Sequence, residues 1–286
     1  MDTYRNHSLA PYTTVKIGGP ADTFIITTTT DEFVQTLKNI NKKLVILGNG
    51  SNTLISDTGI RDTVIKNTAN KIEYLSDNTV RVESGVQLPF LINDTINHSL
   101  SGLEEFTYIP STLGGAIHGN IHGVNKNNFD KFLVSIEIFD QNLKTRKSFL
   151  AKDLNWSYDH SEFQQHPEWV ILSATLKLSP GDPATLKQTV TDITAKKITT
   201  QSMNSLGSTF KNPQNDFAGR IIDEELHLKG FRLGDAQISE KHANFILNLG
   251  HATASDYYAL IKKIQSEAKE KGFLLEPEIK FLGDFS

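Results

Sequence analysis

Cysteine is absent from all 286 residues, which excludes disulfides, thiolate metal sites and a cysteine nucleophile. No apolar run is long enough to cross a bilayer. Residues 1–7 are polar and lack the apolar core of a secretory leader, so a cytoplasmic protein without membrane contact is expected. Positive charge is not in excess either. The 29 Lys and Arg against 33 Asp and Glu leave a formal charge of −4, and the lysines are dispersed, which speaks against a nucleic-acid partner. Two active-site signatures are missing as well: the Gly-x-Gly-x-x-Gly that opens a dinucleotide-binding helix and the Gly-x-Ser-x-Gly elbow of serine hydrolases. Repeats and low-complexity tracts are not visible. With 38% hydrophobic and 22% charged residues, the chain should fold, and it is long enough for two domains or three small lobes.

What is present begins with an apolar run at 44–47 that feeds a glycine turn at 48–52, Gly48, Asn49, Gly50, Ser51 and Asn52. Backbone N–H groups presented by such a turn at a strand end can hold a pyrophosphate, and an ordinary strand connection reads equally well from this segment alone. Before it, strands are expected over 13–21, ending in a turn at Gly18 and Gly19, and over 23–28. A helix over 31–42 follows, capped by Asp31. After it come short strands over 64–66, 71–75 and 79–83 and a helix over 85–100. A second glycine-rich stretch, 109–125, contains Gly114 and Gly115, which would let backbone approach a flat or charged ligand. Strands over 132–140, 145–149 and 169–178 precede a break at Pro180-Gly-Asp-Pro183. Helices over 184–203 and 218–223 and a strand over 245–248 lead to a last helix, capped by Thr253 or Ser255 and closed by Gly272. A strand over 275–282 ends the chain.

His118 and His122, four apart, would share a helix face and could bind a metal, but Gly119 and Gly123 argue against a helix, and no metal is expected. Ser208 lies in a loop beside Lys211 and Asn212, where a serine can serve as a proton donor or simply as a loop hydroxyl.

Taken together, the blocks Thr-Val-Lys-Ile-Gly-Gly-Pro-Ala at 14–21, Gly-Asn-Gly-Ser-Asn at 48–52, Ile-Pro-Ser-Thr-Leu-Gly-Gly-Ala at 109–116, Gly-Ser-Thr-Phe-Lys-Asn-Pro at 207–213, Gly-Asp-Ala-Gln-Ile-Ser-Glu-Lys-His-Ala-Asn-Phe at 234–245 and Glu-Pro-Glu at 276–278 resemble the UDP-N-acetylenolpyruvoylglucosamine reductase (MurB) family, in its shorter type. The resemblance implies an α+β fold: a two-lobed FAD-binding domain of the vanillyl-alcohol-oxidase (PCMH) type plus a smaller α/β substrate-binding domain. It divides the chain into a first lobe over 1–70, to which 275–286 returns, a second over 71–182 and a substrate domain over 183–274. FAD is the implied cofactor, with NADPH as hydride donor. The implied reaction reduces an enolpyruvyl UDP-sugar in peptidoglycan precursor synthesis, with NADPH leaving before the substrate binds.

The same resemblance assigns residues. Ser208 is similar to the serine that protonates the intermediate, and Glu278 to the glutamate that stabilises it. Gly48 to Asn52, Pro110, Ser111, Thr112, Gly114, Gly115, Ala116, Asn120, Gly123 and Arg220 fall at cofactor positions. Tyr158, Lys211, Asn212 and His242 fall at substrate positions. The departures are specific. Asp159 stands where the family has an arginine that neutralises the substrate carboxylate, so repulsion of the substrate anion is expected there. His122 lies in a stretch of usually small residues, Ser111 replaces a usual glycine, and so does His227. These departures also suit a flavin oxidoreductase with a changed substrate, or a silent FAD-binding paralogue. The oligomeric state is unassigned, with a monomer as the expectation.

Overall fold

The computed structural model describes residues 1–40, 43–202 and 204–285. The chain forms two compact units: Met1–Thr3, Ile25–Gly48 and Val64–Lys196 make the first, and Tyr4–Phe24, Asn49–Thr63 and Lys197–Ser286 the second.

The first unit is built on a five-stranded antiparallel sheet. Its strand order is Thr145–Leu150, Leu133–Asp140, Trp169–Lys177, Thr79–Glu83 and Ile72–Tyr74. The strand Trp169–Lys177 shows no alternation because both of its faces are covered. Ile171, Ala174 and Leu176 enter the main core with Leu91 and Ile92 of the helix Leu88–Asn97 and Leu113, Ala116 and Ile117 of the helix Leu113–Gly119. On the opposite face Val170 and Leu172 meet Phe33, Val34 and Leu37 of the helix Thr30–Asn39. That second layer turns a sequence that looks like a simple buried run into the centre of a three-layer stack.

In the second unit a small antiparallel sheet, Arg232–Leu233, Ala236–Ile238 and Ile246–Asn248, packs against the helix Ala254–Glu270. That helix buries Tyr257, Leu260, Ile261, Ile264 and Ala268, the 3.6-residue stripe read from the sequence. The strand Lys280–Leu282 runs parallel to Thr53–Ile55, with Phe281 opposite Leu54.

The α+β class expected from the sequence is the class observed. Several elements differ, for local reasons. Residues 13–19 form no strand: the Thr13 hydroxyl donates to the Ile17 carbonyl at 2.9 Å, and Lys16 takes φ +58°, so the segment closes on itself. The polar residues that open the chain form a strand instead, Asp2–Ser8. The helix expected over 85–100 shrinks to Leu88–Asn97, because Val86 N bonds back to Glu83 O in a turn and Leu100 joins a two-residue strand. Thr29, not Asp31, caps the helix Thr30–Asn39 by accepting from Glu32 N. The helix over 184–203 is observed as Pro183–Thr200. The expected ends of these two helices, Lys42 and Met203, lie outside the described residues. The helix over 218–223 is one α-turn, Ala218–Arg220, that widens into a π-helical turn, Ile221–Glu225. The strand expected over 275–282 is regular only at Lys280–Leu282, preceded by a single bridge between Phe210 and Pro277.

Candidate active site

The glycine turn at 48–52 is fixed by its carbonyls. In the second unit Gly50 O accepts from Thr14 N at 3.3 Å and Asn52 O from Lys280 N at 2.9 Å, while Asn52 Nδ2 donates to Glu278 O at 3.3 Å. Gly50 sits at φ +56°, and a Cβ there would meet Thr13 Cα and the Tyr12 carbonyl at 2.9 Å, so the position requires glycine. Among the described residues the N–H groups of Gly50, Ser51 and Asn52 donate to nothing. Anchored carbonyls with unengaged amides suit the oxygens of a phosphate.

The second glycine loop is built differently. In the first unit Thr112 caps the helix Leu113–Gly119 by accepting from Gly115 N at 3.2 Å. Leu113 N and Gly114 N donate to Val86 O and Ser84 O. Its amides are therefore taken up inside the protein, and what it offers is closeness. A Cβ at Gly114 would lie 3.1 Å from Ser84 Cβ, one at Gly115 2.7 Å from Ser111 Oγ, and one at Gly48 3.0 Å from Thr112 Oγ1. Gly48, whose carbonyl accepts from Lys66 Nζ at 2.5 Å, thus lies close against Thr112. Just before Pro110, the Tyr108 hydroxyl is buried without a hydrogen-bond partner among the described residues, and burial pushes its phenol up. An orphaned buried hydroxyl in a domain that matches an FAD binding profile is consistent with a polar group of a cofactor as its partner.

Farther along the same unit, two residues assigned to the cofactor have structural work. Asn120 is fully buried in the left-handed region at φ +42°. Its Nδ2 donates to Ser157 O at 2.8 Å and its Oδ1 accepts from Asp130 N at 3.0 Å. A Cβ at Gly123 would lie 2.2 Å from Glu105 Oε2, so this glycine makes room for a buried carboxylate that accepts from Asn125 N and Asn127 Nδ2. His118 lies on the helix and His122 beyond its Asn120 cap, so the two imidazoles do not share a helix face.

His122 instead joins the anomalous residue at 159. Its Nδ1 lies 2.8 Å from Asp159 Oδ1, and its Nε2 lies 3.1 Å from the Tyr158 hydroxyl. The His122 and Tyr158 rings are stacked, with centroids 4.5 Å apart. Asp159 takes φ +52° at the tip of the hairpin formed by Trp156–Ser157 and His160–Ser161. Gln164 Nε2 fastens that tip, donating to Asp159 O and His118 O. The carboxylate expected to repel a substrate anion is therefore turned onto an imidazole.

The second unit gathers the remaining assignments around a cavity of about 290 Å³. Ser208, Asn212, Arg220 and His242 line it, together with Phe217, Lys229, Lys241 and Asn244. Gly207, at φ +79°, delivers Ser208, and Thr209 N and Phe210 N are held by Asn244 O and Oδ1. The Ser208 hydroxyl itself has no hydrogen bond among the described residues. Glu278 N donates to Thr209 O at 2.9 Å, which brings the backbone of Glu278 beside the residue following Ser208. Charge in the cavity is largely compensated. Arg220 pairs with Asp216 at 2.6 Å and Glu225 at 2.7 Å, raising its pKa and pulling Asp216 down to about 2. Lys229 pairs with Asp223. Lys241 Nζ has a carbonyl partner, Ile198 O, and no carboxylate among the described residues. His242 accepts from Asn244 N at Nδ1, and burial, then Lys197 and Lys229, lowers its pKa, so it enters the cavity neutral at pH 7. Lys211 does not line it and pairs with Glu276 at 2.6 Å.

Known proteins match the chain over its length. Residues 199–282 match the profile described as "UDP-N-acetylenolpyruvoylglucosamine reductase, C-terminal domain", and residues 21–146 match an FAD binding domain. A reductase of that name from Caldanaerobacter subterraneus subsp. tengcongensis is 34% identical over 98% of this chain and 94% of its own length. The chain belongs to the UDP-N-acetylenolpyruvoylglucosamine reductase family. The Fusobacterium nucleatum member is 37% identical, covering 98% of this chain and 99% of its own. The crystal structure of the Thermus caldophilus family member superposes with a TM-score of 0.84 at 30% identity, over 99% and 98% of the two chains.

Lys241 and Phe217 line the cavity, and neither stands out as a candidate from sequence. Lys241 stood inside the quoted block at 234–245, directly before His242. Phe217 carried no signal, because an aromatic residue between Asp216 and Ala218 reads as core and is in fact 65% exposed. His122 reads from sequence as half of a possible metal pair with His118 and as a departure from the family, and the pairing that makes it one feature with Asp159 spans 37 residues.

Proposed function

We propose that the protein is an FAD-dependent reductase that converts UDP-N-acetylglucosamine enolpyruvate to UDP-N-acetylmuramate in peptidoglycan precursor synthesis, acting in the cytoplasm as a monomer. When bound, FAD supplies hydride, taken from NADPH, to the vinyl carbon of the enolpyruvyl group. The amides of Gly50, Ser51 and Asn52 would hold its pyrophosphate, and Gly48 and Pro110 to Ala116 would be further cofactor-binding residues. Residues 1–70 and 71–182 are its two lobes, with 275–286 returning to the first. Residues 183–274 hold the sugar nucleotide.

The observation that carries the reading is the cavity where Ser208, Asn212, Lys241 and His242 converge in a chain similar to these reductases over its whole length. Lys241, a cavity cation with no carboxylate partner among the described residues, attracts the diphosphate, and Asn212 and the neutral His242 add hydrogen bonds. Lys211 reaches the same nucleotide only if its pair with Glu276 opens. Ser208, whose hydroxyl caps nothing, donates the proton to the carbon beside the one reduced, and Glu278 stabilises the charge that precedes this transfer. Arg220, held by Asp216 and Glu225, orders the wall of the cavity more than it contacts the flavin.

Rapid-mixing absorbance tests this. Purified protein reconstituted with FAD should bleach with NADPH and recover its colour on mixing with UDP-N-acetylglucosamine enolpyruvate. Bleaching without recovery would support a changed substrate, and failure to retain FAD would remove the reading altogether.

A further inference from the structure

The cavity of the second unit has one large apolar side chain in its wall, Phe217, and every other lining residue is charged, polar or no larger than alanine. The phenyl group is 65% exposed. Other accessible rings of this unit have partners. Lys263 Nζ lies 4.7 Å from the centre of the Phe231 ring, and Tyr258, Phe281 and Phe285 pack on one another. Among the described residues neither a ring nor a cation covers Phe217 in this way. An aromatic face left open beside cations and amides is a place for a ligand that is itself part planar and part charged.

The backbone that carries the ring is held on every side. Phe217 N donates to Asp216 Oδ1 at 2.7 Å, and Arg220 clamps that carboxylate through Nε and Nη2 at 2.7 and 2.6 Å. Phe217 O accepts from Ile221 N at 3.1 Å. The next amide, Ala218 N, donates to Asn212 Oδ1 at 3.0 Å, which ties the turn to a polar residue of the same cavity and leaves the Asn212 Nδ2 group as its donor. Two residues on, a Cβ at Gly219 would lie 3.1 Å from His242 Cε1, so glycine there lets the turn close against His242. A ring on a backbone fixed in this way loses little freedom when a ligand covers it.

We propose that Phe217 binds the nucleoside end of the substrate by stacking on its uracil ring. The proposal rests on the reading of the protein as an enolpyruvyl-sugar reductase and names, within that reading, the residue that recognises the base. A UDP-sugar carries a diphosphate, two saturated sugar rings and one unsaturated ring, the uracil. The diphosphate suits Lys241 and the amide of Asn212. The uracil is the ring whose flat face gains from a phenyl group, through dispersion and removal of apolar surface from water. Arg220 acts here through Asp216, as a positioning residue for the turn that presents the ring.

The test uses the oxidised holoenzyme. UDP and inorganic pyrophosphate are titrated by calorimetry, and UDP-N-acetylglucosamine enolpyruvate by the absorbance change of the flavin. Phe217→Ala should weaken UDP and the enolpyruvyl substrate by the same factor, about tenfold or more, and leave pyrophosphate binding as it is. Phe217→Tyr, which keeps the ring, should bind UDP within about twofold of wild type, and Phe217→Leu, which keeps apolar bulk without a π face, should fall between Tyr and Ala. Lys241→Met should weaken all three ligands. Because the phenyl group is exposed, the Phe217 variants should melt within about 2 °C of wild type. UDP binding unchanged in Phe217→Ala, or a loss that is equal for UDP and pyrophosphate, would overturn the proposal. A loss confined to the enolpyruvyl substrate would overturn it too, by placing the ring against the sugar. Failure of the underlying reading appears differently, as a wild-type holoenzyme with no flavin response to the enolpyruvyl substrate.

Discussion

At the scale of single residues, the same amino acid type divides sharply by whether its polar atoms are already engaged. Asn120 and Ser208 were both assigned roles by position in a motif, yet one has its amide bonded at both ends and the other has a hydroxyl bonded to nothing described. Asn120→Ala should therefore act on folding. It leaves Ser157 O and Asp130 N without their partner, at about 1–3 kcal/mol for each group that water cannot reach, and it places alanine at φ +42°. Urea denaturation should show the loss, whereas a flavin dissociation constant that rises with stability unchanged would return Asn120 to the cofactor. Ser208→Ala should do the reverse. Its melting temperature should stay within a degree or two of wild type and flavin reduction by NADPH should persist. Reoxidation by the enolpyruvyl substrate should slow by about 10²-fold or more, the usual scale of a lost general acid. Equal slowing of both half-reactions would contradict the proton-donor role.

At the scale of elements, the final helix shows what the sequence could decide and where it stopped. The apolar stripe from Tyr257 to Ala268 and the closing Gly272 were legible, because a 3.6-residue period and a left-handed C′ glycine, here at φ +85°, are local properties. The choice between Thr253 and Ser255 as cap was not. Thr253 wins because Asp256, three residues on, completes a capping box with it. The Ser255 hydroxyl goes instead to Asp57, whose two carboxylate oxygens also take Ala254 N and Ser255 N. No window of sequence reveals a partner 198 residues away. Thr253→Ala should cost about 1 kcal/mol, and Asp57→Ala should cost at least as much, since it frees two amides of the first turn. If chemical denaturation finds Asp57→Ala silent while Thr253→Ala is not, the long-range cap contributes nothing. The misread strand at 13–21 has the same origin in reverse: β-branched residues favoured extension, and a single side-chain bond from Thr13 to the Ile17 carbonyl overrode them. For the site, motif blocks supplied the cavity's Ser208, Asn212 and His242, while the pairing of His122 with Asp159 required the fold.

At the scale of the whole molecule, acid stability is set by carboxylates in both units whose folded pKa values lie below their ordinary ones. In the first unit Glu32 is drawn down to about 2, chiefly by the Thr28 backbone N–H, and Asp140 is lowered chiefly by Lys147 at 2.8 Å. In the second, Arg220 draws Asp216 to about 2. Each depressed group binds fewer protons folded than unfolded. Its contribution is thus complete above the ordinary values of 3.8 to 4.5 and disappears as pH falls towards 2. His242, a base lowered by burial, adds in the same direction at higher pH, because below its ordinary value of 6.5 the unfolded chain takes up the proton first. Melting temperature should accordingly decline gently below about pH 6.5 and steeply between about pH 4.5 and 2. Lys147→Met isolates one part of this. The variant should melt lower than wild type at pH 7, lose less on acidification, and approach the wild-type curve as the pH falls far enough to protonate Asp140 in both. Parallel curves over the whole range would mean that Lys147 stabilises by packing its aliphatic stem and that its charge on the buried Asp140 is incidental.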